Sequence, residues 1–238
     1  MRTESQVNYR KQRGDRNALL RRSVPPANIA KSASPAHPMT PATAAILCNP
    51  RPCEHIIYSY TDDTELTDAL TLFAKVGLMR GEAVILIVTA RHADLIRQRF
   101  EQEGYEVAEL LKSGQLVIAD AEVVLATFIL DEQRFKIGIG SLIDKARAAA
   151  IARSQVRVFD EMVDLTWISN LRATLRLEEL GNEAIKSHSV TMLCAYSLGH
   201  GRPMSLPAPI LASHSRVLSA PYLDATNFLK PLSSYRPP

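Results

Sequence analysis

Proline is missing from residues 53–202 of this 238-residue chain, although the sequence holds 14 prolines. Seven fall in residues 1–52 and seven in 203–238; at an ordinary frequency of about 5%, roughly seven would fall in the gap. Proline removes a backbone donor and breaks both helices and strands, so its absence marks out one unit of regular structure. Cysteine is scarce as well. Cys48, Cys53 and Cys194 are odd in number and widely spaced, which gives no disulfide framework and fits a reducing cytoplasm. No window approaches eighteen consecutive apolar residues, which excludes a membrane-spanning helix. The pair Arg21-Arg22 is followed by Pro25-Pro26 rather than an apolar stretch, which argues against a signal peptide. What is present, 46% hydrophobic and 22% charged residues, is the composition of a soluble globular protein: one large domain, or one domain with tails.

Charge divides the chain near the same place. Residues 1–54 hold nine basic against three acidic residues, whereas residues 55–238 hold 19 basic against 22 acidic. The net charge of +3 therefore belongs to the N-terminal arm. The arm is rich in Ser, Ala, Pro and Arg, with almost no large apolar residue before Ile46, so residues 1–52 read as disordered. A basic arm can hold phosphates, but with one aromatic residue, Tyr9, it supports at most weak nucleic-acid contact. Met39 offers a second possible start of translation. Residues 203–238 read as a proline-rich C-terminal segment with one short helix.

Within 53–202, short apolar runs alternate with longer periodic ones. The strands read as 55–60, 83–88, 116–119, 156–159 and 190–196. Ala83 to Val88 is continuously apolar, as in a strand buried on both faces. Between the strands, Leu66, Leu70, Phe73 and Gly77 form one helical stripe, Leu95, Ile96 and Phe100 another, and Phe135, Ile139, Leu142, Ile143, Ala146 and Ala150 a third. Ile168, Leu171, Leu175 and Ala184 read as the stripe of a single long helix after the fourth strand. Strands separated by helices of this length imply crossover units. The expected fold is α/β, a three-layer sandwich with a mostly parallel sheet of about five strands.

Ligands of such sheets sit outside the carboxyl ends of the strands. The residues there, with the aromatics nearby, form the expected ligand-binding set: Tyr58, Tyr60, Asp62, Thr89, His92, Asp120, Glu161, Trp167 and Tyr196. No catalytic residue is expected. A phosphate-binding loop needs a glycine-rich turn ending in Gly-Lys-Ser/Thr after the first strand. Here the turn is Tyr60-Thr61-Asp62-Asp63-Thr64-Glu65, with three acids and neither glycine nor lysine, which would repel a triphosphate. Val156 to Phe159 followed by Asp160-Glu161 has the form of the strand that holds a magnesium-bound water, yet acids at that place also cap the following helix. Cys53, His55, Cys194, His200 and His214 are possible metal ligands, but Cys-x-His is not a standard ligand pair and Cys53 and Cys194 fall at different depths of parallel strands. Neither metal nor cofactor is expected.

Several segments together resemble the MEDS domain, the methanogen/methylotroph sensory module of DcmR-type regulators. They are His55 with Tyr58 and Tyr60, the run Gly77 to Glu82, Gly114-Gln115-Leu116, the run Val156 to Val163, Leu177-Glu178-Glu179, Leu193 to Tyr196, and His214. That family is similar to the RecA-like core of circadian-clock ATPases with the nucleotide loop eroded. The resemblance implies a sensory domain within about 53–220, proposed for the family to sense hydrocarbon derivatives. Asp160 stands where the family usually has glycine, and Gly181 where it has a bulky residue. A non-catalytic, cytoplasmic signal-transduction domain responding to a small molecule or a signalling partner protein is the expected function. The alternatives are a degenerate RecA-like NTPase using Asp160 and Glu161, and a nucleic-acid-associated regulator acting through the arm.

Overall fold

The computed structural model describes residues 39–151, 155–199 and 201–219. The expected arm over residues 1–38, His200 and the end of the C-terminal segment lie outside the described residues. One open sheet of six parallel strands organises the rest: β1 (His55–Tyr60), β2 (Ala83–Val88), β3 (Leu116–Asp120), β4 (Val156–Asp160), β5 (Thr191–Ser197) and β6 (Arg216–Ser219). Their order across the sheet is β3-β2-β4-β5-β1-β6.

Side chains alternate across the pleat with period two, so each strand feeds two cores. Ile56, Tyr58 and Tyr60 of β1, Val84, Leu86 and Val88 of β2 and Leu193 and Ala195 of β5 face one layer. That layer contains α1 (Pro41–Cys48), α2 (Asp63–Met79), α3 (Ala90–Gln102) and α4 (Val107–Ser113). Ile57, Ile85, Ile87, Val158, Met192, Cys194 and Tyr196 face the other, built from α5 (Ala121–Leu130), α6 (Glu132–Ala149), α7 (Met162–Thr166), α8 (Leu171–His188) and α9 (Ala208–Ala212). The complete burial of β1 and β2 follows from these two covers.

Four departures from the sequence reading have physical causes. The sheet has a sixth strand, drawn from the segment set apart as 203–238; β6 pairs with β1 from Ile56↔Arg216 to Ser59↔Ser219. It is short and only half buried, so it carries little hydrophobic signal. The arm expected to be disordered to residue 52 contains α1, whose N-cap Thr40 accepts from the Thr43 amide and whose Leu47 is fully buried. The single long helix after β4 is two helices, α7 and α8, parted by a turn at Trp167–Ser169, and Ile168 points to solvent there. Helix α4 was not anticipated; seven residues give too short a period to read.

Arg157 ties several of these elements together. It stands on β4 yet is almost wholly buried on the α2 side. Its guanidinium donates to Glu82 Oε2 (2.5 Å), to the carbonyls of Leu47 and Phe73 (both 3.0 Å) and to that of Cys48 (3.2 Å), while its Cζ lies 5.1 Å from the centre of the Phe73 ring. The side chain crosses α2 at Gly77, where a Cβ would stand 2.8 Å from Arg157 Cδ. Only glycine leaves that passage open. The α1 carbonyls, unsatisfied at any helix end, thus find a charged donor inside the core.

Candidate functional site

The first strand-to-helix turn is closed by its own carboxylates. Asp62 caps α2, its Oδ1 accepting from the amides of Thr64 (2.8 Å) and Glu65 (2.9 Å). Glu65 reaches back and accepts at Oε2 from the Thr61 amide and hydroxyl, both at 2.8 Å. In a phosphate loop, backbone amides at this place face the anion. Here they are satisfied, and by groups of the wrong sign.

Beside this turn, β4 and β2 supply a second carboxylate cluster. Glu161, 2% exposed at the end of β4, accepts at Oε2 from the Thr89 amide (2.8 Å), and the Thr89 hydroxyl lies 3.3 Å from each of its oxygens. His92 donates through Nδ1 to Glu161 Oε1 at 2.6 Å, and its Nε2 lies 3.4 Å from Asp63 Oδ1. Arg91 pairs with Asp63 from the solvent side. One imidazole therefore bridges the starts of α2 and α3 and the end of β4. Burial pushes the His92 pKa down, but the hydrogen bond and charge of Glu161, followed by those of Asp63, outweigh it, and the net shift is upward.

A proton held this way stabilises the folded chain below the ordinary histidine pKa of about 6.5. That contribution is lost as the pH rises through the higher folded-state value. In an NMR titration, His92 is expected to titrate above the ordinary histidine value, and Glu161→Gln is expected to lower its midpoint. An unchanged midpoint in the variant would mean that Glu161 does not hold the proton.

A third carboxylate, Asp164 in α7, gathers the remaining polar groups of the crevice. Its Oδ1 accepts from the Ser197 amide (2.8 Å), Arg202 Nη1 (2.9 Å) and Trp167 Nε1 (3.1 Å), and Tyr60 donates to Oδ2 at 3.5 Å. Asp160, at the end of β4, accepts from the Met162 amide at 2.7 Å, as an acid capping the next helix does. Burial pushes its pKa up to about 7 against the pull of that amide, and Glu178 and Glu161 add to the rise.

On the α8 side, deeper in the sheet, a further set of side chains meets. His55 at the start of β1, Cys194 in β5, Glu178 in α8 and His214 ahead of β6 each turn a polar atom to one point; these atoms lie within 4.8 Å of one another. Tyr196 donates to Glu178 Oε1, and the Trp167 ring meets Tyr196 edge-on with centroids 6.2 Å apart. Burial and then the His214 ring push the His55 pKa down to about 4, and burial pushes the Cys194 thiol up.

The expected binding residues thus divide. Thr89, His92 and Glu161 form one cluster, with Tyr60 and Trp167 one step away through Asp164. Tyr196 lies in the interior beside Glu178. Tyr58 is a core residue on the α2 side, donating to the Glu65 carbonyl at 3.3 Å. Asp62 is a helix cap. So is Asp120, whose Oδ1 accepts from the amides of Glu122 and Val123. Asp120 also edges an open hollow of about 220 Å³ at the carboxyl ends of β2 and β3, lined by Val88, Ala90, Ala93, Arg97 and Ile118 among others. Sequence reasoning missed Asp63, Asp164, Glu178 and Arg202 as site residues. Asp164, three residues past Glu161, carried a detectable signal as the next inward position; Arg202 and Glu178 join only through the fold.

The family model of MEDS, described as the methanogen/methylotroph, DcmR sensory domain, matches residues 54–208. Comparison with functionally curated proteins returns no match. Among solved structures, the chain is similar to a KaiC-like protein from the hyperthermophilic archaeon Pyrococcus horikoshii OT3. The TM-score is 0.50 at 16% identity, covering 71% of this chain and 72% of that one. At that identity the likeness speaks to the fold alone, a RecA-like sheet.

Proposed function

Because the chain belongs to the MEDS family of sensory domains, we propose that it is a non-catalytic sensory module that binds a small molecule at the carboxyl ends of its strands. The hollow bounded by β2, β3 and α3 is the binding place, and the adjoining Thr89–His92–Glu161 cluster is the element the ligand biases. A ligand acts there by favouring one arrangement of the strand-end loops over another.

The observation that carries this reading is the occupied first turn. The amides of Thr61, Thr64 and Glu65 are bonded to Glu65 and Asp62, so a nucleotide would have to displace two carboxylates before its phosphates found a donor. The NTPase alternative relies on Asp160 and Glu161. It is disfavoured because both carboxylates already hold hydrogen bonds within the protein, Asp160 to Met162 and Glu161 to Thr89 and His92. The apolar lining from Val88, Ala90, Ala93 and Ile118, edged by Asp120 and Arg97, suits a small molecule with an apolar body and a polar end.

Calorimetry of the full chain with magnesium and ATP is expected to show no saturable heat; micromolar affinity would overturn the reading. Native mass spectrometry of untagged protein taken directly from its host is expected to show a small-molecule adduct. Ala90→Trp, at an exposed position lining the hollow, is expected to abolish that adduct without unfolding the chain. A bare wild-type mass, or an adduct indifferent to the substitution, would reject this binding place.

A further inference from the structure

The cluster of His55, Glu178, Cys194 and His214 stands apart from the strand-end crevice, and its hydrogen bonds fix where its lone pairs point. His214 Nδ1 lies 2.9 Å from the Ile210 carbonyl. A carbonyl only accepts, so Nδ1 carries the proton and the neutral ring presents a bare Nε2 inward. His55 is pinned in the same way. Asn182 Nδ2 donates to the carbonyls of Glu178 (3.1 Å) and Ser213 (3.0 Å), which fixes the amide and turns its Oδ1 toward His55 Nδ1 at 3.2 Å. His55 Nε2 is then a lone pair too.

Both nitrogens face the same carboxylate oxygen, and His55 Nε2 faces the Cys194 thiol as well. His55 Nε2 is 3.3 Å from Glu178 Oε2 and 3.3 Å from Cys194 Sγ, and His214 Nε2 is 3.2 Å from the same Glu178 oxygen. The His214 side chain is fully buried and its Nε2 has no hydrogen-bond partner among the described residues. Two imidazole nitrogens turned on one buried carboxylate oxygen repel it unless positive charge, a proton or a metal ion, lies between them.

We propose that His55 Nε2, His214 Nε2, Cys194 Sγ and one oxygen of Glu178 form a tetrahedral binding site for a divalent transition metal of the zinc class. Ligand bonds of about 2.0–2.3 Å set tetrahedral edges of about 3.3–3.6 Å between donor atoms. Four of the six separations here are 3.2, 3.3, 3.3 and 3.9 Å, and all six lie within 4.8 Å. Two neutral imidazoles, a thiolate and a carboxylate carry two negative charges, so a divalent ion leaves the loaded site neutral, which lowers the cost of burying it. Loading releases the Cys194 thiol proton to solvent.

The supporting contacts match those of metal centres. Each imidazole gives its far N–H to an oxygen acceptor, and the second Glu178 oxygen accepts from Tyr196. Gly181, one turn past Glu178, keeps helix α8 close; a Cβ there would meet Met192 Sδ at 3.1 Å and His55 Cε1 at 3.5 Å. Such a metal ties α9 and the edge strand β6 to β1, β5 and α8, because His214 immediately precedes Ser215, whose amide and hydroxyl both donate to the His55 carbonyl.

The full untagged chain, exposed to zinc and dialysed against metal-free buffer, is expected to retain one equivalent per chain by elemental analysis. With cobalt(II) in place of zinc, tetrahedral d–d absorption and a thiolate-to-cobalt charge-transfer band are expected. Cys194→Ser is expected to remove the charge-transfer band, and His214→Ala to weaken zinc retention at least tenfold, while Cys53→Ser changes neither. Substoichiometric zinc in the wild type, an octahedral cobalt spectrum, or signals that persist in Cys194→Ser and vanish in Cys53→Ser would each overturn the proposal. Should either cluster variant fail to fold, the cobalt spectrum of Cys53→Ser decides: a thiolate band with tetrahedral absorption supports the site, and its absence rejects it.

Discussion

Arg157→Ala is expected to cost about 3–5 kcal/mol of unfolding free energy, the effect of breaking a buried ion pair from one side. The truncation leaves Glu82, 6% exposed, without its cation, and leaves the carbonyls of Leu47, Phe73 and Cys48 without a donor. It also opens a void beside Gly77, which adds to the loss. Lysine should not rescue, since one ammonium cannot reach the acceptors that a planar fork serves together. Removing both charges is a different matter: Arg157→Met combined with Glu82→Leu is expected to recover much of the stability, because desolvation of the pair is then no longer required. Denaturant titration of the three variants checks this. A loss under about 1 kcal/mol for Arg157→Ala would show that the guanidinium is not the tie it is taken for here.

The second large effect is a change of slope with pH. Asp160 has a folded-state pKa of about 7 against an ordinary 3.8, because burial disfavours its charged form. Below pH 4 the carboxyl is neutral in both states and contributes no difference. Between pH 4 and 7 the unfolded chain releases this proton and the folded chain keeps it, so stability falls as the pH rises, and it levels off above 7. Asp160→Asn removes the ionisation while keeping an oxygen for the Met162 amide. The variant is therefore expected to match the wild type near pH 4 and to exceed it well above pH 7 by roughly 4 kcal/mol, from about 1.4 kcal/mol for each pKa unit. Parallel stability curves would refute the assignment. His92 contributes a slope of the same sign at higher pH, and Glu161→Gln separates the two.

Much of the site was legible because its chemistry is local. The acids of the Thr61–Glu65 turn could be weighed against a phosphate loop from residue type alone, and the structure gives the reason in hydrogen bonds: Glu65 bonds Thr61 and Asp62 caps the helix. Thr89, His92 and Glu161 could be placed near one another because the carboxyl ends of parallel strands lie side by side. Tyr58 was not separable from Tyr60 in sequence. Both are aromatic and two apart, and they share a face of the pleat; only their depth along β1 makes one a core residue and the other a neighbour of Asp164. Of the set His55, Glu178, Cys194 and His214, the two histidines and the cysteine could be named as possible ligands beside Cys53 and His200, but not grouped and not joined to Glu178: the four are 16 to 159 residues apart, and no spacing rule for metal ligands covers residues gathered from two strands, a helix and the lead-in to an edge strand.

The sequence by itself determined the α/β alternation, the strands buried on both faces and the acidic, glycine-free first turn. Each depends on residues within one window, where hydrophobic period and charge act over short distances. Tertiary structure decided the strand order, the sixth strand, the enclosure of Arg157 and the convergence of two imidazoles, a thiol and a carboxylate. Those depend on which segments the sheet sets side by side, and a half-buried edge strand or a buried arginine has no local signature until its neighbours are in place.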